Sequence, residues 1–434
     1  MLKKIEIRGL FDKFDYDIEL KEGGLTILTG PNGYGKTTIL RMINAVANGN
    51  LLFFFELSFI KILFIQDELE SIGLTREGNT LFFQLGNQGS MTLTKGDLIP
   101  EEVQTLFENS RYIRMDESHW LDKKTRTIYT IENFIDQLSR NYPETKGDLH
   151  DKWTPDFVNC YFIREQRLIR KLVIRRTKSG ARVLPFGEDV PGIFSETIEE
   201  YAVEECAKAL SDNIRDILAR ASRIGQALDG VFPERLFDET ESISEKEFYK
   251  RYTGIQKKQK SLSLYGFSMT REDRHASFKE ENAKALLVYL NHMEDKLAAF
   301  NEILQRLDLF SSILNKREFV SKRIEISPDF GFRFITEDDK ELPLTELSSG
   351  EQQEVVLLYE LLFRVGPNTL VLIDEPETSL HVAWQMEFLD DLLKIIELQK
   401  ITVLVATHSP DIIDKHGDLG IDLWDLATAR ESRA

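Results

Sequence analysis

Short apolar and alternating runs open the chain, separated by glycine and aspartate, and this pattern is typical of strands. The predicted strands are residues 3–8, 14–19 and 25–29. The third strand runs directly into a glycine-rich turn, after which apolar residues at helical spacing predict a helix over residues 36–48. Strand-like runs continue over residues 51–98, and residues 158–163 predict a further strand.

The pattern becomes helical from about residue 195 to residue 318. One apolar stripe recurs at steps of three and four with one irregular step: Val203, Cys206, Leu210, Ile214, Ile217, Ala221, Ile224 and Leu228. A second has heptad spacing: Ala283, Leu286, Leu290, Met293, Leu297, Phe300, Leu304 and Leu307. Two helices of ~35–40 residues would form a hairpin ~50–60 Å long. A packed helical subdomain explains both stripes equally well, with the charged residues 232–274 as a turn-rich connection.

Strand patterns return after Lys322, at residues 323–326, 331–335, 370–373 and 402–406. We therefore predict an α/β fold with a helical, coiled-coil-like insertion. The predicted segments are an N-terminal lobe over residues 1–194, the insertion over residues 195–320 and a C-terminal lobe over residues 321–434. The two lobes are expected to form one α/β unit.

The composition of the 434-residue chain is that of an ordinary globular protein, with 42% hydrophobic and 29% charged residues. A formal charge of −18 argues against a surface coated for non-specific nucleic-acid binding, because phosphate neutralisation requires surplus Lys and Arg. A local basic groove remains compatible with that charge. The two cysteines, Cys160 and Cys206, are too few for a disulfide framework and show no metal-ligand spacing.

Targeting and membrane signals are weak. The first ten residues, MLKKIEIRGL, lack the apolar core of a signal peptide. The most apolar stretch, residues 51–65, is shorter than the ~20 residues that cross a bilayer and contains Glu56 and Lys61. We expect a cytoplasmic protein with no membrane partner.

The turn at residues 30–37, GPNGYGKT, has the features of a phosphate-binding loop. Its glycines allow backbone N–H groups to face phosphates, and the following helix adds its dipole. Lys36 is expected to reach the β- and γ-phosphates of ATP, and the Thr37 hydroxyl to coordinate Mg²⁺. The candidate nucleotide-binding residues here are Gly30, Pro31, Asn32, Gly33, Tyr34, Gly35, Lys36, Thr37 and Thr38. A glycine-rich turn that merely contains a lysine accounts less well for the flanking strand and helix.

An acidic pair follows the apolar strand at residues 370–373. We assign Asp374, at the end of the strand, to Mg²⁺ binding. Glu375 points elsewhere by strand alternation and is expected to act as the general base toward water. Acidic pairs after strands are often solvated turns, but the surrounding motifs favour the catalytic interpretation.

The sequence LSSGEQQ at residues 347–353 predicts a helix start, with Ser348 and Ser349 as capping residues and Glu351 in the first turn. A helix N-terminus with serine hydroxyls is a candidate anion site. Taken alone, the same sequence is equally typical of an ordinary helix cap.

The chain resembles the ABC-type ATPases of the RecF, Rad50 and OLD kind in five motifs and in their order. These are the phosphate loop, LSSGEQQ, TLVLIDEPE, TSLH and ATHSP. The resemblance covers residues 1–65, 158–167 and 321–415. It implies that two subunits sandwich ATP and Mg²⁺, with the signature of one subunit closing on the γ-phosphate held by Lys36 of the other. By the same resemblance Gln166 contacts Mg²⁺ and water, Ser379 belongs to the D-loop and His408 is the switch histidine. The signature residues are Ser348, Ser349, Gly350 and Glu351.

Two departures refine this resemblance. Ser349 and Glu351 stand where transporters carry glycine and glutamine, which favours the chromosome-maintenance and defence branch over transporter motors. The turn RGLFDKF at residues 8–14 differs from the usual family turn, so no adenine contact is assigned.

Within that branch the closing TLVLIDEPETSLHVAWQ and the YFIREQRL segment most resemble the ATPase subunits of bacterial antiphage systems, PARIS above all and Septu less closely. The resemblance implies a homo-oligomeric sensor that controls a separate Toprim-like effector nuclease and responds to a phage-encoded trigger protein. We expect no Toprim domain in this chain, because few residues follow His408. The alternative is a DNA-repair or chromosome-associated ATPase that binds DNA directly.

A basic segment at residues 164–182 contains eight Arg or Lys residues and one acid: Arg164, Glu165, Arg167, Arg170, Lys171, Arg175, Arg176, Lys178 and Arg182. It is a candidate contact for phosphate or for an acidic protein. A solvated strand face is an equally good interpretation.

Overall fold

The computed structural model describes residues 1–67, 70–86, 90–94, 112–114, 119–122, 128–130, 158–163, 169–177, 180–182, 194–267, 277–317, 322–380 and 382–431. Gln166, the predicted Q-loop residue, lies outside these ranges, as do Arg164, Arg167 and Lys178 of the basic segment. The chain divides into two compact units. The first contains Met1–Glu165, Lys171–Ile198 and Val365–Ala434, and the second contains Glu199–Arg364 together with Gln166–Arg170.

A parallel sheet forms the centre of the first unit. Its strands, in spatial order, are Cys160–Ile163, Leu370–Asp374, Thr402–Ala406, Leu25–Thr29 and Gly420–Asp422. All neighbours in this sheet run parallel. Strands Leu370–Asp374 and Thr402–Ala406 are buried throughout, which explains their unbroken apolar sequences. The carboxyl ends of parallel strands meet at one edge, so this sheet brings the ends of three motif-bearing segments together.

An antiparallel sheet lies in the same unit, with the order Phe14–Glu19, Lys4–Leu10, Lys61–Asp67, Glu70–Glu77, Thr80–Leu85 and Ser90–Thr94. Its buried residues form one apolar core with helix Lys36–Ala47 and the short helix Phe53–Glu56. Tyr16, Phe54 and Phe64 are among the largest fully buried side chains of this core. The apolar stretch at residues 51–65 is therefore core-forming helix and strand.

Smaller elements complete the structure. Two antiparallel three-stranded sheets are present, one of Ile128–Thr130, His119–Asp122 and Tyr112–Arg114, the other of Gly180–Arg182, Ile169–Thr177 and Phe194–Tyr201. The chain from residue 376 onwards contains the helices Val382–Gln399, Pro410–Ile413 and Leu423–Glu431, and the 3₁₀ segments Pro376–Ser379 and Asp414–Leu419. The described part of the basic segment thus lies on strands.

The second unit is mainly helical. Its helices are Ala202–Asp238, Glu245–Leu264, Ala283–Ala298, Asn301–Lys316 and Ser349–Tyr359, with 3₁₀ turns at Glu280–Asn282 and Leu344–Glu346 and a π-helical turn at Glu360–Arg364. An antiparallel sheet of Lys322–Ser327, Gly331–Thr336 and Glu341–Leu342 belongs to the same unit. The predicted α/β fold with a helical insertion is confirmed.

Three details of the predicted insertion are wrong. Phe194–Tyr201 is a strand, so the helices begin at Ala202 rather than near residue 195. The second stripe is carried by two helices, not one, because the chain makes a tight turn at Phe300, whose N–H bonds to the Leu297 carbonyl. The connection predicted as turn-rich contains the 20-residue helix Glu245–Leu264.

Burial explains why these helices form a packed subdomain. The first stripe is buried from Val203 to Ile214, and again at Ala221, but Ile224 is exposed. Helix Ala283–Ala298 packs against both Ala202–Asp238 and Glu245–Leu264. The packed alternative therefore fits better than an isolated hairpin. Among the residues that the structure describes, no helix has the length and apolar character needed to cross a bilayer.

Candidate functional site

The glycine-rich loop joins strand Leu25–Thr29 to helix Lys36–Ala47. Gly33 and Gly35 both have a positive φ, near 88° and 89°, a conformation that favours glycine. A Cβ at Gly35 would lie 3.1 Å from Leu10 Cδ2 and 3.4 Å from Phe11 Cε2, whereas a Cβ at Gly33 would meet no atom within 4 Å. The loop is thus closely packed beneath Gly35 and open at Gly33, as an anion-binding loop requires.

Lys36 begins the helix with its side chain folded into the loop. Its ammonium donates to the Gly30 carbonyl over 2.8 Å and lies 3.9 Å from Glu375 Oε1. The residue is 5% exposed, so its positive charge is buried at the helix N-terminus. A buried ammonium group beside the N–H groups of a glycine-rich loop is an arrangement that can bind a phosphate.

Thr37 and Asp374 meet across the sheet edge. Thr37 Oγ1 donates to Asp374 Oδ1 over 2.9 Å. Asp374 ends its strand and is buried, as predicted for a carboxylate beside the phosphate loop. A hydroxyl and a carboxylate oxygen are the ligand types that Mg²⁺ prefers.

Glu375 adopts a left-handed conformation with φ 44° and ψ 58°, which turns its side chain away from the strand. Its Oε2 accepts a short hydrogen bond from His408 Nδ1. Burial raises the pKa of the Glu375 carboxyl to about 7, the neighbouring Glu377 carboxylate adds to the rise, and His408 opposes it. The structure therefore brings the two predicted catalytic residues, Glu375 and His408, into contact beside Lys36.

Glu377 lies next to the Glu375–His408 pair. The sequence motif alone did not assign a role to this residue. Its Oε1 accepts hydrogen bonds from Thr407 Oγ1, the His408 N–H and the Ser409 N–H at 2.6, 2.8 and 3.1 Å. The side chain is 7% exposed. Glu375, Glu377 and His408 offer ligand atoms within 4.8 Å of one another. The hydrogen bonds among them account for this arrangement without a metal ion.

The signature segment forms the predicted helix start in the second unit. Ser348 is the N-cap of helix Ser349–Tyr359, and its Oγ accepts from the Glu351 N–H while the Glu351 carboxylate accepts from the Ser348 N–H. Lys322 also bonds to the Glu351 carboxylate, at 2.9 Å. Ser348 and Ser349 are exposed, whereas Glu351 is buried. Ser349 is thus the first helical residue rather than a second cap.

The other predicted site residues occupy the same segments. Pro31 and Asn32 are exposed in the phosphate loop, and Tyr34 and Thr38 are half-buried. Ser379 ends the 3₁₀ turn Pro376–Ser379 that follows Glu375.

Comparison with known proteins gives the class of this site. A family model described as an AAA ATPase domain matches residues 1–413. The chain belongs to the AAA ATPase domain family. Membership supports the ATP-binding and ATPase activity predicted from the motifs, and the predicted P-loop ATPase class is confirmed at that level.

Curated relatives of this AAA ATPase domain protein include UvrABC system protein A from three bacteria. The Clostridium acetobutylicum protein is 30% identical over 164 residues, 36% of this chain and 15% of the relative. The Bacillus subtilis protein is 37% identical over 110 residues, 24% and 10% of the two chains. The Escherichia coli K12 protein is 36% identical over 104 residues, again 24% and 10%. The chain thus covers at most 15% of the length of these relatives.

Similar solved structures include two SMC head domains. One comes from Pyrococcus furiosus, has an extended coiled coil and is bound to the C-terminal domain of ScpA. It is 13% identical to this chain, with a TM-score of 0.34, and the match covers 95% of this chain and 90% of the SMC chain. The other, from Thermotoga maritima, is 12% identical with a TM-score of 0.32 and covers 95% and 91%.

The C-terminal segment of the AAA ATPase domain protein also reaches the phosphate loop, which no motif indicated. The ring centroids of Tyr34 and Trp424 lie 5.6 Å apart, and those of Tyr34 and Phe14 lie 5.0 Å apart, with both ring pairs tilted. A Cβ at Gly30 would lie 3.3 Å from Asp422 Oδ1. These contacts join residues that are distant in the sequence. The aromatic character of the three ring residues was the one local sign of them.

Proposed function

We propose that this chain is an ATP-binding and ATP-hydrolysing sensor and scaffold of a bacterial antiphage defence system. It forms homo-oligomers through shared ATP and controls a separate Toprim-like effector nuclease in the cytoplasm. The observation that carries the proposal is the convergence of Lys36, the Thr37–Asp374 pair and the Glu375–His408 pair in one site. The AriA subunit of PARIS is the antiphage ATPase that the motif set most resembles.

The site fits ATP and Mg²⁺. Lys36 and the N–H groups of the open loop at Gly33 would hold the phosphates, and Thr37 with Asp374 would hold the cation. When bound, the cation neutralises negative charge on the phosphates. Glu375 takes a proton from the attacking water at its carboxylate, and the His408 ring holds that carboxylate in place through Nδ1. Gln166 remains a proposed contact to the cation and the water.

Sharing of ATP between copies is supported by the exposed start of the signature helix. Ser348 and Ser349 face solvent at a helix N-terminus, where N–H groups and the dipole favour an anion. In the proposed dimer this surface closes on the γ-phosphate bound to Lys36 of the second copy, with Gly350 and Ser379 at the same interface.

A DNA-repair ATPase is the second candidate. The similarity to UvrABC system protein A favours it, although that similarity spans a small part of each relative. The formal charge of −18 opposes extensive direct contact with DNA. The basic strands Ile169–Thr177 and Gly180–Arg182 are the segments that this alternative would use.

Affinity purification from the native host separates the two candidates. The tagged chain is isolated with ATP before and after phage infection, and both the co-purifying proteins and the bound DNA are identified. A stoichiometric nuclease with little DNA supports the defence function, and loss of the nuclease after infection supports a phage trigger. DNA without a nuclease partner overturns it in favour of repair. Lys36→Ala, which removes the phosphate-binding ammonium, is the matched control for ATP dependence.

A further inference from the structure

The turn after Asp374 and the loop after strand Thr402–Ala406 are joined by one buried side chain. Glu377 Oε1 accepts the Thr407 hydroxyl and the N–H groups of His408 and Ser409, at 2.6, 2.8 and 3.1 Å. Its other oxygen, Oε2, is buried and receives no hydrogen bond from the part of the chain that the structure describes. Three donors on one oxygen fix the course of the loop more firmly than a single contact does.

The same loop is held from a second side. Ser409 Oγ donates to Gln385 Oε1 over 2.8 Å, and the Gln385 amide donates to the Leu380 carbonyl over 3.0 Å. Ser409 and Gln385 are both buried. The histidine ring is half-exposed, with its Nδ1 bonded to Glu375 and 3.1 Å from Glu377 Oε1. The backbone of the loop is therefore anchored internally, while the ring remains accessible.

We propose that Glu377 is a positioning residue for ATP hydrolysis, which fixes the His408 loop so that the imidazole meets the Glu375 carboxylate. It acts through His408 and Glu375 and does not touch the nucleotide. A carboxylate suits this task because it accepts several hydrogen bonds, and bonds to an ionised acceptor are stronger than neutral ones. The inference rests on the proposed catalytic roles of Glu375 and His408.

Steady-state hydrolysis by Glu377→Ala and Glu377→Gln tests this role. Gln keeps a carbonyl oxygen for the three donors. Its amide NH₂ takes the place of Oε2, which accepts no hydrogen bond from the described residues, so no hydrogen bond to that oxygen is lost. We expect Glu377→Ala to lower kcat by about 10²-fold, the effect of a small misplacement of catalytic groups, with KM for ATP changed less than about threefold. Glu377→Gln is expected to stay within about fivefold of the wild-type kcat, because the anchor persists. Glu397→Ala, at an exposed position of helix Val382–Gln399, is the matched control and leaves kcat unchanged.

A double-mutant cycle with His408→Ala adds a second criterion. If Glu377 acts through His408, Glu377→Ala in the His408→Ala protein lowers kcat by less than about threefold further. Equal losses of kcat in the Ala and Gln variants, a rise in KM with kcat unchanged, or full additivity overturns the proposal. If Glu377→Ala does not fold, Thr407→Val removes one donor to the same oxygen and must also lower kcat without raising KM. If Glu375→Gln and His408→Ala leave hydrolysis unchanged, the proposed function of the site fails instead.

Discussion

Thr37 Oγ1 donates a hydrogen bond to Asp374 Oδ1 over 2.9 Å, joining residues 337 positions apart in the sequence. The contact exists because the strands that precede them belong to one parallel sheet, in which Thr402–Ala406 lies between Leu25–Thr29 and Leu370–Asp374. The pairing of these two oxygens is what makes this edge of the sheet suitable for a nucleotide-bound cation.

Replacement of the Thr37 hydroxyl tests this pairing. Thr37→Val removes the oxygen at nearly constant shape and is expected to lower ATP hydrolysis by at least about 10²-fold, because a ligand to Mg²⁺ and the bond to Asp374 are both lost. Thr37→Ser keeps the hydroxyl and should stay within about fivefold of the wild type. The measurement is hydrolysis as a function of Mg²⁺ concentration. Equal activity of the Val and Ser variants at all Mg²⁺ concentrations would remove Thr37 from the cation site.

Glu375→Gln is expected to leave ATP binding intact and to slow hydrolysis by about 10²–10⁴-fold, the range for a general base. The amide keeps the size of the side chain and can still contact His408, but it cannot accept a proton. Binding of a fluorescent ATP analogue and single-turnover hydrolysis measure the two effects separately. An unchanged hydrolysis rate would exclude Glu375 as the base.

The capping box at Ser348 allows capping and ATP sharing to be tested separately. Ser348→Asp keeps an N-cap acceptor, so the free energy of unfolding should change by less than about 0.5 kcal/mol, whereas Ser348→Ala should lose about 1 kcal/mol. The added negative charge repels the γ-phosphate held by a second copy, and we expect Ser348→Asp to abolish ATP-dependent association. Sedimentation of both variants in the Glu375→Gln background measures association without turnover. Normal ATP-dependent association of Ser348→Asp would contradict the shared site.

Much of the first unit was predictable because its determinants are local. Strands Phe14–Glu19, Leu25–Thr29 and Thr402–Ala406 have the predicted bounds, and the helix after the phosphate loop ends one residue early, at Ala47. Continuous apolar runs and glycines carry this information within a few residues. The contacts of Glu377 with Thr407 and its neighbours depend on strand order, and no local pattern encodes them.

The insertion was less predictable because charge and a short turn hide its pattern. Helix Glu245–Leu264 buries Phe248, Tyr252, Ile255 and Leu262 on one face, but the lysines between them and Gly254 make the segment look like a connection. The second stripe keeps its spacing through the tight turn at Phe300, so periodicity alone could not reveal that two helices share it.

A buried ion pair lies in the second unit. Arg317 Nε donates to Glu354 Oε1 over 3.3 Å, and the side chains are 1% and 2% exposed. Arg317→Met leaves the Glu354 charge buried without this partner and is expected to lower the free energy of unfolding by about 3–5 kcal/mol. The exposed pair Arg323–Asp339 is the matched control, and Arg323→Met should lower the free energy of unfolding far less, despite a shorter distance of 2.7 Å. Urea denaturation compares the two, and equal losses would contradict the assigned role of burial.

Cys160 reports on the strand that pairs with Leu370–Asp374, because its half-buried side chain packs against the apolar core of the first unit. Burial raises the pKa of this thiol from 9.0 to about 12. In the unfolded chain half of the thiols are ionised near pH 9, but a pKa about three units higher leaves on the order of 10⁻³ as the reactive thiolate in the folded protein. With Cys206→Ala leaving Cys160 as the one thiol, iodoacetamide labelling at pH 9 should be about 10²–10³-fold slower in the native protein than in urea. Equal labelling rates in the two conditions would show that Cys160 is not packed against this core in solution.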